Sequence, residues 1–189
     1  QTDAETLAAW LAIQEEKLTG IGEPGMDEKA VEKQLKEAQS LDSDMLRKSS
    51  DHDSVNSEGQ VVLAQAECDH DDVRQTLEDI NQRWEDLAEG VSGKTRQLKD
   101  MAERLREMND VLNDLKGALG KYEDKMASVT DSTDKRKNLD RLRNLQDEVD
   151  SLTSQVEYAK NFLDGLVADA PEGTETTGLQ EQCDDVARR

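Results

Sequence analysis

A single register of apolar residues constrains this chain more than any other feature. From Val73 it steps through Leu77, Ile80, Trp84, Leu87 and Val91, in alternating intervals of four and three. After Lys94 it resumes at Leu98 and runs through Met101, Leu105, Met108, Leu112, Leu115, Leu119, Tyr122, Met126 and Val129. The register therefore holds for about eight heptads with one break. Such steps place these side chains on one stripe of an α-helix and leave the charged residues on the rest of its surface. A net charge of −20 with only 34% hydrophobic residues is otherwise the composition of a disordered chain. Disorder gives no reason to keep a register, so the pattern overrules the composition.

The breakers agree with long helices. The two prolines, Pro24 and Pro171, lie in the turn-rich stretches GIGEPGM (20–26) and DAPEGTETTG (169–178). Weaker breaks at CDHDD (68–72) and TDSTD (130–134) offer Asp, Ser or Thr as helix N-caps. The reading predicts helices over about 7–19, 27–66, 70–129 and 134–168, with a short one from about 178. At 1.5 Å per residue, the helix from 70 to 129 is about 90 Å long, more than one compact domain needs. Two successive bundles sharing it would account for that length.

An internal repeat supports the sharing. LAAWLAIQEEKL (7–18) aligns with LKGALGKYEDKM (115–126), and VRQTLEDINQR (73–83) aligns with LQEQCDDVARR (179–189). The offset is about 106–108 residues in both cases. The first unit, over 1–108, then has helices 7–19, 27–66 and 70–106. The second, over 109–189, has two helices and the start of a third. The fold class is all-α, with tandem antiparallel three-helix bundles.

This period, Trp10 in LAAWL, Trp84 in INQRWEDL and the unbroken helix between units together resemble spectrin repeats. The resemblance covers the whole chain. Spectrin repeats build the rods of spectrin, α-actinin, dystrophin, nesprins, plakins and spectraplakins, and the LAAWL…VEKQLKEAQ wording is closest to the giant cytoskeletal cross-linkers of the spectraplakin type. Two departures stand out. Ala118, between Gly117 and Gly120, occupies the place of Trp10, and Arg189 precedes the position matching Trp84. Both ends therefore read as cut from a longer array. Continuing the chain by about 25 residues past Arg189, to complete the repeat, is expected to raise its stability.

Trp84 sits in LEDINQRWEDL (77–87), among Arg83, Glu85 and Asp86. Its register points it inward while those charges face water. Trp10 and Trp84 are expected to anchor the first core with Leu7, Leu11, Leu18, Val31, Leu35, Ile80, Leu87 and Val91. Gly90, Gly93 and Lys94 interrupt the same helix, either as tolerated imperfections or as a soft spot, since an interior glycine costs about 1 kcal/mol relative to alanine.

Chemistry finds little support. Aromatics make up 3% of the chain, too few for a deep ligand pocket. CDHDD gathers Cys, His and Asp, but no second cluster completes a zinc site, and helix-capping acids explain it better. DHDSVNSEG (51–59) fails as a calcium loop: Val55 holds the fifth position, Asn56 replaces the turn glycine and Val62 replaces the bidentate acid. His52 is then expected to face water or the seam. No phosphate loop, nucleophile elbow or H-E-x-x-H occurs. No catalytic residue, cofactor or metal is expected, and the chain is not read as an enzyme.

Acidity disfavours nucleic acid and anionic membranes as partners. The apolar run LAAWLAI (7–13) is far shorter than the roughly 20 residues of a membrane span. Cys68 and Cys183 form no disulfide framework, which fits a cytoplasmic, reducing setting. The resemblance implies a cytoskeleton-associated, monomeric rod near 100 Å long that spaces and carries tension between binding ends for actin, microtubules or junctional proteins outside this segment. The alternative is an acidic helical platform that docks one specific protein partner, for which a basic surface would be complementary. Pairing of two chains as a coiled coil is disfavoured by the turns at 20–26 and 68–72, although an incomplete third helix would leave a seam through which the chain could dimerise.

Overall fold

The computed structural model describes residues 2–65, 71–130 and 135–188. It has helices α1 (Asp3–Ile21), α2 (Glu28–Leu63), α3 (Asp71–Thr130), α4 (Lys135–Ala168) and α5 (Thr177–Arg188), with no strand among the described residues. Residues 68–70 and 131–134, which carry most of the two cap candidates, lie outside the described residues.

Helix α1 begins earlier than the apolar pattern predicts. Thr2 Oγ1 accepts from the Glu5 amide at 3.3 Å, and Glu5 Oε2 accepts from the Thr2 amide at 3.0 Å. This capping box satisfies two of the amides that open the helix, so the helix starts four positions ahead of Leu7. At the other end Gly22 takes φ 69°, a conformation open to glycine, and its amide reaches back to the Thr19 carbonyl.

The chain divides into two compact units. The first comprises Gln1–Pro24 and Lys29–Asp100, the second Gly25–Glu28 and Met101–Arg189. The division falls at Asp100, ahead of the expected 108, and the short segment before α2 joins the second unit. Met26 is buried there, and Glu28 accepts from Asn109 Nδ2 at 2.6 Å and pairs with Arg106 at 3.6 Å.

In the first unit α1 and the first part of α3 run parallel. Glu15 meets Arg83, and Glu23, two residues past the end of α1, meets Lys94 further along α3. Helix α2 runs opposite to both, since Lys17 faces Asp44 while Gln34 reaches Ile21, and His52 faces Asn81 while Gly59 faces Leu77. Leu7, Leu11, Val31, Ala38, Leu41, Met45, Val55, Leu77, Ile80, Leu87, Val91 and Leu98 fill the space between them.

In the second unit α4 runs opposite to α3, as Lys125–Glu148 and Arg104–Asp169 show. Helix α5 packs on α4, and Lys116 donates to Gln182 across to α3. Leu105, Met108, Leu112, Leu115, Leu145, Leu163, Leu166, Leu179, Cys183 and Val186 are buried in this unit. The stripe of α3 is thus buried for most of its length. It weakens at Tyr122, which is half-buried, and at Met126, which is exposed.

The interruption at Gly90–Lys94 has a packing cause. A Cβ at Gly90 would lie 2.8 Å from Leu18 Cδ2, so the glycine makes room for α1. Lys94 Nζ bonds Glu23 Oε1 at 3.0 Å and Gln97 Oε1 at 3.1 Å, so its charge on the stripe is answered from the end of α1. A Cβ at Gly93, by contrast, would meet nothing within 4 Å.

Gly59 is packed harder still, since a Cβ there would lie 2.4 Å from Leu77 Cδ1 and 3.0 Å from its Cγ. Gly59→Ala should therefore lower stability by about 1–2 kcal/mol through overpacking against a buried leucine. Gly93→Ala should raise it by about 0.5–1 kcal/mol through helix propensity. Urea titration of the two variants checks both signs.

Candidate functional site: the aromatic and polar seam of the first unit

The side-chain cluster with the most specific geometry lies where α1, α2 and α3 meet at Trp10, His52 and Trp84. The indoles of Trp10 and Trp84 stack with centroids 5.9 Å apart and planes 29° from parallel. The imidazole of His52 covers Trp84 more closely, at 4.4 Å and 15°. All three are half-buried, with the tryptophans standing at the edge of the apolar stripe. Both expected tryptophans lie in this seam, where three flat rings pack by stacking and keep one side near water.

A polar set extends from the rings. Asn56 and Asn81 form a reciprocal amide pair across α2 and α3, at 2.9 and 2.8 Å. His52 Nε2 lies 2.8 Å from Asn81 Oδ1. That oxygen can only accept, so His52 donates through Nε2. Asn56 Nδ2 also donates to the His52 carbonyl at 3.1 Å.

On the α1 side, Arg83 makes a two-pronged pair with Glu15, Nε to Oε1 at 2.8 Å and Nη2 to Oε2 at 2.9 Å. Its Nη2 reaches the Ala8 carbonyl at 3.4 Å, and Asp79 stands 3.8 Å from Nη1. The Arg83 hydrogen bonds hold the Glu15 carboxyl below its ordinary value, and Glu15 in turn raises Arg83. Hydrogen bonds from Lys94 and Gln97 likewise lower Glu23.

Of the other expected core residues, Leu7, Leu11, Val31, Ile80, Leu87 and Val91 are each at most 2% exposed. Leu18 and Leu35 are half-buried, at the rim of the stripe rather than its centre. His52 takes the seam side of its expectation, Arg83 is half-buried against Glu15 of α1 instead of facing water, and Asn56 and Asn81 carry no signal in the apolar register. The spacing of His52 and Asn56 by four residues on α2 was the available signal, because it puts two polar side chains on one face.

The arrangement binds helices together and holds no reactive group. The thiol of Cys183, in the second unit, is buried and raised by that burial, which suppresses its thiolate. Among the described residues no group of three His, Cys, Asp or Glu side chains is placed to hold a metal ion. No described helix is long and apolar enough to cross a membrane.

The family comparisons agree with this geometry. Residues 1–100 match the family model described as Spectrin repeat. The chain is similar to the human microtubule-actin cross-linking factor 1, isoforms 1/2/3/4/5, with 44% identity over 48 residues, 25% of this chain and 1% of that protein. It is also similar to the mouse microtubule-actin cross-linking factor 1, isoforms 1/2/3/4, with 27% identity over 97% of this chain and 2% of that protein. The chain therefore spans only 1–2% of the length of these curated relatives. No solved structure matches it.

Two outcomes test the seam. Trp84→Ala should cost about 3 kcal/mol, the low end for truncating a buried aromatic because this ring is only half-buried. A double-mutant cycle with Trp10→Ala should return a coupling of about 1 kcal/mol. Arg83→Gln should be destabilising at neutral pH. A carboxyl held low when folded stabilises above its unfolded value and loses that contribution as pH falls through the folded one. The stability gap between Arg83→Gln and the unaltered chain should therefore narrow as pH falls below 4.5, the ordinary glutamate value.

The residues that form this parallel pair of helices, tied by one tryptophan from each with a third helix running back between them, are those that match the Spectrin repeat model, and the chain belongs to the spectrin-repeat family.

Proposed function

We propose that this chain is a structural segment of a cytoskeletal linker protein, spacing apart binding regions that lie elsewhere in a longer polypeptide and passing tension between them. The observation that carries this reading is α3. It gives its first part to one unit and its remainder to the other within a single helix, Asp71–Thr130. Tension arriving at the first unit then travels on through helical backbone hydrogen bonds instead of a slack linker. The similarity to microtubule-actin cross-linking factors supports a cytoskeletal setting and protein partners in general. Inter-helix pairs such as Arg83–Glu15 and Lys125–Glu148 suit a scaffold, since each joins two helices.

Stretching single molecules by their termini tests the load path. The unaltered chain should lengthen with both units giving way in one event. Lys99→Pro places a proline inside α3 near the division, at a local cost of about 3 kcal/mol, and should split the event in two. Two independent events in the unaltered chain, unchanged by Lys99→Pro, would show that α3 carries no load between the units.

A further inference from the structure

The two units carry the same groove and line it differently. Leu7 of α1 corresponds to Leu115 of α3, a shift of 108 residues, and both are buried. Leu41, Val55 and Gly59 of α2 correspond to Leu145, Ala159 and Leu163 of α4, a shift of 104, and all six are buried. In the first unit the outer groove between α1 and α2 is lined by Asp3, Lys48, Asp51, Ser54 and Glu58, and Lys48 pairs with Asp51. The corresponding residues of the second unit are Val111, Leu152, Gln155, Tyr158 and Phe162. Four charged positions have become apolar or amide, and a serine has become tyrosine. The bundle needs the buried leucine floor, which both units keep. The apolar, aromatic rim answers some other requirement.

In the second unit this groove encloses about 350 Å³ between α3 and α4, over Val111 and Leu115 and beside Ser151, Ser154 and Tyr158. Tyr158 is 52% exposed. Its ring stacks on Phe162 with centroids 6.1 Å apart and planes 4° from parallel, and its hydroxyl donates to Glu107 Oε1 at 3.4 Å. The ring is thus held from both helices while much of it stays in water.

Helix α5 covers a different side. Helix α4 ends beside Arg104, which meets Asp169, and α5 is level with Lys116 at Gln182, so α5 runs toward Met126. A helix continued past Arg189 would run further from the groove, which lies level with the start of α5. Asp114, on the groove, is about 200° round α3 from Lys116, which faces α5.

We propose that this groove docks a basic amphipathic helix from another protein. One leucine-sized side chain of that helix would sit on Val111 and Leu115 against Tyr158, with Lys or Arg on either side of it. The volume is at the small end for a ligand site and suits one anchoring side chain. Charge complementarity selects the occupant. Glu107, Asp110 and Asp114 are exposed along this side of α3. Arg104 and Lys125 already meet Asp169 and Glu148, and Lys121 stands two turns beyond Asp114. A second copy of a chain with net charge −20 would be repelled, as would an anionic membrane. The site does not depend on the load-bearing reading.

The test uses three labelled synthetic helices of about four heptads. One carries Leu once per heptad on a Lys-flanked face, one replaces those Leu by Ser, and one replaces the Lys by Glu. Fluorescence anisotropy with the full chain should show the Leu–Lys helix binding, weakening between about 50 and 300 mM salt as screening grows. The Ser–Lys helix should bind at least about tenfold more weakly, and the Leu–Glu helix not at all. Val111→Asp with Tyr158→Ser gives the groove the residues of the first unit and should weaken binding at least about tenfold. That pair adds a negative charge, so general attraction to an acidic chain would be strengthened instead. Ser154→Arg should weaken binding independently and keep the melting curve of the unaltered chain, because Ser154 is exposed.

Equal binding of the Leu–Lys and Ser–Lys helices, or indifference to Ser154→Arg and to the paired variant, would overturn the proposal. So would loss of binding when the chain is continued past Arg189 by its native sequence, which would assign the groove to the chain itself. Sedimentation showing a self-associated chain that Ser154→Arg returns to monomer would assign it to a second copy.

Discussion

The apolar stripe of α3 must be covered wherever it runs, and the rest of the structure answers that requirement. With 34% hydrophobic residues and a single phenylalanine, the chain cannot build a thick core. It can cover a narrow stripe with two other narrow stripes, which is a three-helix bundle. Each buried leucine or valine contributes about 1.5–3 kcal/mol relative to exposure, so the nine such residues of the first unit outweigh any surface term. Exposed ion pairs contribute at most about 1 kcal/mol each. Their importance here is one of sign: Arg83 and Lys125 each bring a cation to a carboxylate on another helix, and Lys94 brings one to Glu23 just past α1, in a strongly acidic chain.

A purely apolar stripe leaves the axial position of its neighbours weakly specified, because one heptad of leucines resembles the next. The seam at Trp84 removes that freedom. Asn56 and Asn81 satisfy each other only at one offset of α2 against α3, and His52 stacks on Trp84 only there. Slipping either helix would leave part-buried amides without partners, at about 1–3 kcal/mol each. The two-pronged Arg83–Glu15 pair does the same between α3 and α1. Polar groups at one level therefore set the register, and apolar groups along the whole length supply the stability. That division explains why the tryptophans stand at the rim: a ring that must stack on histidine beside an amide pair cannot also lie at the centre of the stripe.

Periodicity made the helices and the direction of their apolar faces legible. The predicted bounds of α2, α3 and α4 lie close to those observed, because glycine, proline and the polar breaks mark them in the chain itself. The start of α1 was equally open to reading, since T-D-A-E (2–5) is a capping box, but a search for apolar spacing passes over it. What periodicity lacks is the edge of the stripe and the axial offset between helices. Leu18 and Leu35 fit the pattern as well as Leu11, yet lie at the rim. Which amide faces which, and that Lys94 finds Glu23, depend on how far one helix is shifted along another. No single helix carries that information.

Glycines in helices show the same limit. By composition Gly90 and Gly117 are equivalent defects. In three dimensions Gly90 receives Leu18, so its propensity cost is offset by packing that a Cβ would disturb. Gly117 and Gly120 meet nothing within 4 Å, and between them Ala118 stands where the first unit has Trp10. Each of those two glycines costs about 1 kcal/mol with no contact in return. The sixty residues of α3 are therefore unequally supported: stacked rings and a two-pronged ion pair brace the part near residue 84, while the part near residue 120 rests on Leu115, Leu119 and the half-buried Tyr122. The least supported stretch of the stripe therefore lies in the second unit, past the glycines on either side of Ala118, where Tyr122 is half-buried and Met126 exposed.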